Sequence, residues 1–231
     1  MPAVSLSRAA AIAALAFLVA LPAAAQQAEE QRLTKAAAVF EAITSVPERA
    51  VPEALMRSVY GIAIFPEVQR VGFIIGGQRG KGVLVVRSGG SWSRPLFLSI
   101  TGGSIGWQIG VQKADVVLFF RTRGSVDRVL EGKYTVGVDA SVAAGSLGRE
   151  ASALTDKSLQ AELYTYARTR GIFAGLALQG AALDIDYPAN AKYYGREIDL
   201  PQDVLSGAGL PDPPSAGGLR RAIDGYTPSP R

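Results

Sequence analysis

Arg79, Lys81, Arg168 and Arg170 are the residues whose type and spacing can do chemistry in this chain. Arg79 and Lys81 flank Gly80 inside Gly76-Gly77-Gln78-Arg79-Gly80-Lys81-Gly82. Arg168 and Arg170 fall at period two with Tyr164 and Tyr166, so on a strand they share one face. Guanidinium and ammonium groups are the side chains that hold phosphate and carboxylate oxygens, and glycines beside them expose backbone N–H groups to the same ligand. The chemistry on offer is therefore recognition of an anion. A solvated turn and an ordinary half-buried hairpin are the plain readings of the same two stretches.

Other chemistry is excluded by what the chain lacks. It contains no His and no Cys. A Ser-His-Asp triad, a Cys-His pair and a structural zinc site of the usual ligands cannot be built. The Gly76–Gly82 run also fails as a nucleotide P-loop. Ile75 stands where the first glycine belongs, and Gly82 follows Lys81 where Ser or Thr is required. Asp184-x-Asp186 puts two carboxylates on one strand face, either a hard-cation contact or a solvated strand end. No nucleophile with a base is evident, so the expectation is a non-enzyme without cofactor or metal.

The elements that must position the cations follow from pattern. Tyr164 to Leu183 reads as two strands joined at Arg170-Gly171. Thr169 then pairs with Ile172, Arg168 lies opposite Phe173, and Tyr166 lies over Gly175. In that register Tyr166, Arg168, Arg170 and Phe173 make a basic-aromatic ledge, and Ile172, Ala174, Leu176 and Leu178 face the core. Gly76–Lys81 reads as a hairpin loop between strands 71–75 and 82–87. Pro66 ends a strand over 60–65, and Gly89-Gly90 turns the chain into a strand over 92–101. Ile105 to Val111 alternates as a further strand, Val116–Phe120 is apolar on both faces, and 134–144 is another strand rich in small residues.

Helices are expected at 28–46, where Leu33, Ala36, Phe40 and Ile43 draw an apolar stripe, and shortly after Pro52, at 125–130 and at 188–194. Rows of small residues, including Gly102 and Gly137, permit either close sheet packing or an acyl chain along the backbone.

Several of these blocks also carry a resemblance. Tyr164-x-Tyr-x-Arg-x-Arg-Gly-Ile-Phe-Ala-Gly175, GIAIFPEV at 61–68, GGQRGKGVLVVR at 76–87, WSRPLF at 92–97 and NAKYYG at 190–195 resemble the SYLF-domain lipid-binding family, over roughly Leu33 to Gly195. The resemblance implies binding of phosphorylated or anionic lipid and, in some eukaryotic members, of actin.

At the ends, residues 1–25 read as a secretory signal peptide. Arg8 is their one charge, an apolar run spans Ala9–Leu21, and Ala23-Ala24-Ala25 supplies the cleavage site. The whole chain has 24 basic and 20 acidic side chains, so losing Arg8 with the leader leaves 23 − 20 = +3. Residues 26–200 are then the lipid-binding domain, and 201–231, dense in Pro and Gly, a flexible tail with little core. The fold expected is α+β, mostly antiparallel sheets in a sandwich or partial barrel with short N-terminal helices. The function expected is binding of anionic phospholipid at a membrane surface by a periplasmic or secreted protein. Arg79, Lys81, Tyr166, Arg168, Arg170 and Phe173 would form its site, and no nucleic acid its partner. The alternative is an envelope module that holds a protein partner.

Overall fold

The computed structural model describes residues 26–45, 51–72, 75–105, 110–139, 142–144, 161–169, 178, 180–207 and 209–226, and the account below concerns those residues. Helix α1 (26–44) and α2 (Glu53–Ser58) lead into β1 (Gly61–Gly72), β2 (Ile75–Ser88), β3 (Ser91–Trp92), β4 (Leu96–Ile105) and β5 (Gly110–Phe120). Helix α3 (Arg123–Leu130), β6 (Tyr134–Thr135), β7 (Val142–Ala144), β8 (Leu163–Thr169) and β9 (Ala182–Ile185) follow. The chain closes with α4 (Tyr187–Tyr194), α5 (Pro201–Ser206) and α6 (Pro214–Asp224).

The strands form one sheet in the order β6-β9-β4-β2-β1-β5-β8-β7, with β3 hairpinned onto β2. All neighbours in it are antiparallel except β7 and β8. It curls into a half-barrel, so of the sandwich and the partial barrel that the pattern allows, the α+β partial barrel is the one formed.

Both faces of the sheet are covered at the Val116–Phe120 end of β5, which is why that stretch reads apolar. Val116 to Phe120 are all fully buried. On one face the row Val117, Ile64, Val83, Phe97 lies under α1 and α4, where the Arg32 guanidinium sits 5.3 Å over the Phe97 ring and Tyr193 packs 5.0 Å from it. On the other face the row Phe120, Gly61, Val86 meets α3 and β6. A Cβ on Gly61 would stand 2.8 Å from Val126, and Phe120 packs edge-on against Tyr134. The stripe Leu33, Ala36, Phe40 and Ile43 of α1 is buried as its spacing requires.

Four expectations are corrected. Pro66 does not end the first strand. β1 runs through it on a bulge, where the pairing register shifts and Glu67 takes a left-handed backbone with φ 54°. Gly76–Lys81 is not a loop but strand, paired to β1 and β4. The 134–144 segment is not one strand, because a turn at 136–139 follows the short β6.

Residues 201–226 are not a flexible tail with little core. Val204, Leu210, Ala216, Leu219 and Ile223 are buried, Tyr226 packs edge-on against Phe40, and its hydroxyl donates to the Val51 carbonyl at 2.6 Å. Proline density misled there, because Pro201 and Pro214 open helices at the first-turn position, where a missing N–H costs nothing. The turn expected at Arg170-Gly171, the strand expected after it and the expected leader lie outside the described residues. So do 106–109, leaving Ile105 at the end of β4 and Gly110 at the start of β5.

Candidate anion-binding site

Arg79 and Lys81 alternate along β2 and therefore project from one face. Each is exposed. Arg79 pairs across β1 with Gln69, and Gln69 pairs across β5 with Lys113, so Arg79 and Lys113 stand two strands apart in one row on that face. Lys113 is also exposed. Sheet spacing places two such residues about 10 Å apart.

Lys81 leads from this row to a cleft between α1 and the bulge of β1. The cleft has a volume of about 200 Å³. It is lined by Ala28, Gln31, Arg32 and Lys35 of α1, by Pro66 and Glu67, and by Lys81. Its charges are ordered in ion pairs. Lys81 Nζ lies 3.0 Å from Asp186 Oδ2, and Arg32 Nη1 lies 3.5 Å from the same oxygen. Arg32 Nη2 lies 2.7 Å from Glu29 Oε2. Lys35 reaches Glu67 at 3.0 Å, and Lys113 reaches its other oxygen at 3.7 Å.

Asp186 can serve two cations because its Oδ1 is committed elsewhere, accepting the Ala189 N–H as the N-cap of α4. Burial pushes the Glu29 carboxyl above the usual carboxylate range, and Arg32 opposes that only in part.

The bulge that carries Glu67 into the cleft is anchored from the next strand. Asp115 Oδ1 accepts the Glu67 N–H at 3.1 Å, and Asp115 Oδ2 accepts from Arg168 Nη2 at 2.9 Å. Asp115 is buried, so Arg168 acts as counter-ion to a carboxylate inside the fold. Tyr166 is buried as well, edge-on to Phe119 at 5.3 Å, and desolvation pushes its hydroxyl far above the ordinary phenol range.

The ledge expected of Tyr166 and Arg168 is therefore corrected. β8 has β5 on one side and β7 on the other, and the face that carries Tyr164 and Tyr166 is packed, not presented. Arg170 and Phe173 lie outside the described residues.

Of the predicted cations, the structure brings Arg79 and Lys81 to one exposed face, and it adds Arg32, Lys35 and Lys113, which the sequence reading passed over. A signal for two of these existed. Arg32 and Lys35, three apart on α1, flank Leu33 of the apolar stripe and so border the surface that α1 covers. The Asp184-x-Asp186 pair divides. Asp184 is exposed, while Asp186 is the buried acceptor between Arg32 and Lys81. Among the described residues no group of three potential metal ligands gathers.

The glycines between the cations serve packing. A Cβ on Gly82 would fall 2.4 Å from the Ile64 carbonyl oxygen and 2.5 Å from the Phe65 ring, and one on Gly80 2.9 Å from Val68. Gly102, in one of the small-residue rows, likewise abuts Ala181 at 3.1 Å.

Comparison with known proteins places this architecture. Residues 101–226 match the Ysc84 family model, described as Las17-binding protein actin regulator. LAS seventeen-binding protein 3 of Saccharomyces cerevisiae is 32% identical over 190 residues, which cover 79% of this chain and 41% of that protein. SH3 domain-containing YSC84-like protein 1 of Homo sapiens is 31% identical over 205 residues, 87% of this chain and 59% of that protein. Protein YSC84 of Saccharomyces cerevisiae is 32% identical over 181 residues, 77% and 38% respectively. The chain thus spans less than two thirds of the length of these relatives.

Proposed function

We propose a function from one premise: this chain belongs to the Ysc84 (SYLF) family. The function is non-enzymatic binding of anionic phospholipid at a membrane surface by an exported, periplasmic or secreted protein. One observation carries it, the exposed basic row of Arg79 and Lys113, with Lys81 beside it on the same sheet face. Arg79 is the cation best placed to act, since no carboxylate pairs with it among the described residues. Each basic side chain held near an anionic surface contributes about 1 kcal/mol at low salt. A rigid sheet presents them together without ordering a loop, so little conformational entropy opposes the contact.

Export rests on the apolar, nearly uncharged leader and its Ala23-x-Ala25 site. Among the described residues no helix is long and apolar enough to cross a membrane. The non-enzymatic reading rests on the absence of His and Cys from the sequence, which removes the common nucleophile–base arrangements.

A second reading, a module that holds a protein partner in the envelope, draws on the family description, which names a protein ligand for its members. Vesicle flotation tests the first reading. The protein from residue 26 onward should float with vesicles of one part phosphatidylglycerol to three parts phosphatidylcholine at 0.1 M salt. It should stay down with phosphatidylcholine alone and dissociate toward 1 M salt, where the Debye length falls from about 10 Å to about 3 Å. Equal flotation on both vesicles would reject it.

A further inference from the structure

We propose that the first two turns of α1, residues 26–32, are a pH-operated latch, seated on α4 and β4 while a proton is held in the Glu29–Arg32–Asp186 cluster and lifted as pH rises. The latch goes beyond the membrane-surface reading and does not depend on it.

Glu29 stands where the apolar stripe of α1 would place its first anchor. Glu29, Leu33, Ala36, Phe40 and Ile43 step by four, three, four and three along one helix face. Glu29 is 4% exposed and is the one buried residue among 26–32. Ala28, the one apolar residue in that stretch, is exposed. The contacts that seat these turns are polar. The Gln26 side-chain amide donates to the Tyr193 carbonyl at 3.5 Å, and Arg32 reaches Glu29, Asp186 and the Phe97 ring.

Arg32 has to serve two buried carboxylates. Its Nη2 lies 2.7 Å from Glu29 Oε2 and its Nη1 3.5 Å from Asp186 Oδ2, and Lys81 shares that second oxygen at 3.0 Å. Glu29 Oε2, Asp186 Oδ2 and Arg32 Nη1 are buried and, beyond these ion pairs, make no hydrogen bond. Two of these three atoms are acceptors, so the cluster is short of a donor, and the carboxyl O–H of a protonated Glu29 is one. A proton on Glu29 also leaves Asp186 balanced by Arg32 and Lys81. An ionised Glu29 keeps a buried charge that a shared guanidinium must offset.

The charges that face Glu29 come from three elements: Arg32 from α1, Asp186 and Lys192 from α4, and Lys81 from β2. On β1, Glu67 is engaged by Lys35 and Lys113. Burial outweighs the cations and raises the Glu29 carboxyl, and Asp186 adds to the rise. The seated turns therefore hold the proton to higher pH than the lifted ones, in which Glu29 stands in water. Seating is complete at acid pH and is lost as pH rises through the seated value. From Leu33 onward the stripe carries no titratable group and stays packed, so lifting is confined to the turns that wall the cleft with Ala28, Gln31 and Arg32.

Hydrogen exchange on the purified protein tests the latch, with rates corrected for the intrinsic pH dependence of exchange. The amides of 30–33 donate to the carbonyls of 26–29 and report the latch, while those of 40–43 report the rest of α1. Between about pH 4.5 and about pH 8, protection at 30–33 should fall at least about threefold while that at 40–43 holds. Glu29→Gln should keep 30–33 protected at both pH values. Lys192→Glu reverses an exposed charge that favours the ionised Glu29, and it should move the fall to higher pH. Equal protection at 30–33 at the two pH values, a fall shared by 40–43, or a fall that survives Glu29→Gln overturns the latch. So does a midpoint that Lys192→Glu leaves in place or lowers.

Discussion

Arg168 and Asp115 face each other across β8 and β5, with Nη2 donating to Oδ2 at 2.9 Å, and the other oxygen of Asp115 holds the Glu67 N–H at 3.1 Å. One buried carboxylate thus joins a cation that sequence assigns to lipid to the backbone of the bulge that shapes the cleft. Removing the guanidinium strands a carboxylate that is 4% exposed. Breaking a fully buried pair costs about 3–5 kcal/mol. Arg168 is itself 38% exposed, so water screens the pair and the expected loss is nearer 1–2 kcal/mol. Arg168→Ala should therefore lower the melting temperature by about 3–8 °C, read by thermal denaturation. A variant that melts like wild type would show that Asp115 does not depend on Arg168.

Glycines in β2 give a packing prediction. Gly82→Ala drives a methyl group to 2.4 Å from the Ile64 carbonyl oxygen, and backbone there cannot swing aside as a side-chain tip can. Overpacking of this kind costs about 1–3 kcal/mol and more when backbone must move. Gly103, in neighbouring β4, has nothing within 4 Å of the same added atom. Gly103→Ala should be near neutral in urea denaturation while Gly82→Ala loses several kcal/mol, and equal stabilities would refute the packing role.

The C-terminal helices are predicted to be part of the core. Deleting residues 211–231 removes the buried Ala216, Leu219 and Ile223 and the Tyr226 contacts with Phe40 and Val51. Burial of Leu219 and Ile223 alone contributes about 1.5–3 kcal/mol each. The truncated protein should melt at least about 10 °C lower, if it folds. An unchanged melting curve would restore the tail reading.

These cases show what the sequence could carry. The strand and helix set was legible wherever one periodicity ruled. The α1 stripe, the apolar Val116–Phe120 run of β5 and the Gly89-Gly90 turn, with φ of 57° and 89°, all sit where pattern placed them. Pro66, Pro201 and Pro214 misled, because proline marks an end only when its missing N–H would be needed. A bulge and two helix starts do not need it. At the site, Arg79 and Lys81 were legible as a pair on one strand. Their setting was not, because Arg32, Lys35, Glu67 and Asp186 meet Lys81 only through pairings between elements far apart in the chain. Arg168 and Tyr166 carried the same residue types and period as a binding ledge, and only their neighbours in the sheet decide that they are packed.

Glu29 sets a pH dependence. Its carboxyl is raised in the folded protein, chiefly by burial, so between the unfolded value near 4.5 and the higher folded value the native state binds more protons than the unfolded chain. Stability from this group is then full below about pH 4.5 and declines as pH rises through the folded value. Glu29→Gln carries no such titration. The stability difference between wild type and Glu29→Gln should shift in favour of the variant from pH 4 to pH 7 in denaturant titrations. A shift toward wild type over that range would mean that Arg32 outweighs desolvation.

The basic row separates contact from structure. Arg79 and Lys113 are exposed, and neither side chain is built into the core. The double change Arg79→Gln, Lys113→Gln should leave the melting temperature within about 4 °C, since surface substitutions of this kind stay within about 0.5 kcal/mol each. It removes two charges from the sheet face, worth together about 2 kcal/mol at an anionic surface, or about thirtyfold in vesicle affinity at 0.1 M salt. Added salt should weaken wild type more steeply than the variant, because fewer charges remain to be screened. Arg168→Ala should do the reverse, losing stability while the folded fraction floats as wild type does. If Arg168→Ala abolishes flotation of folded protein and the Arg79/Lys113 double variant keeps it, the membrane contact lies on β8 and not on the β2–β5 row.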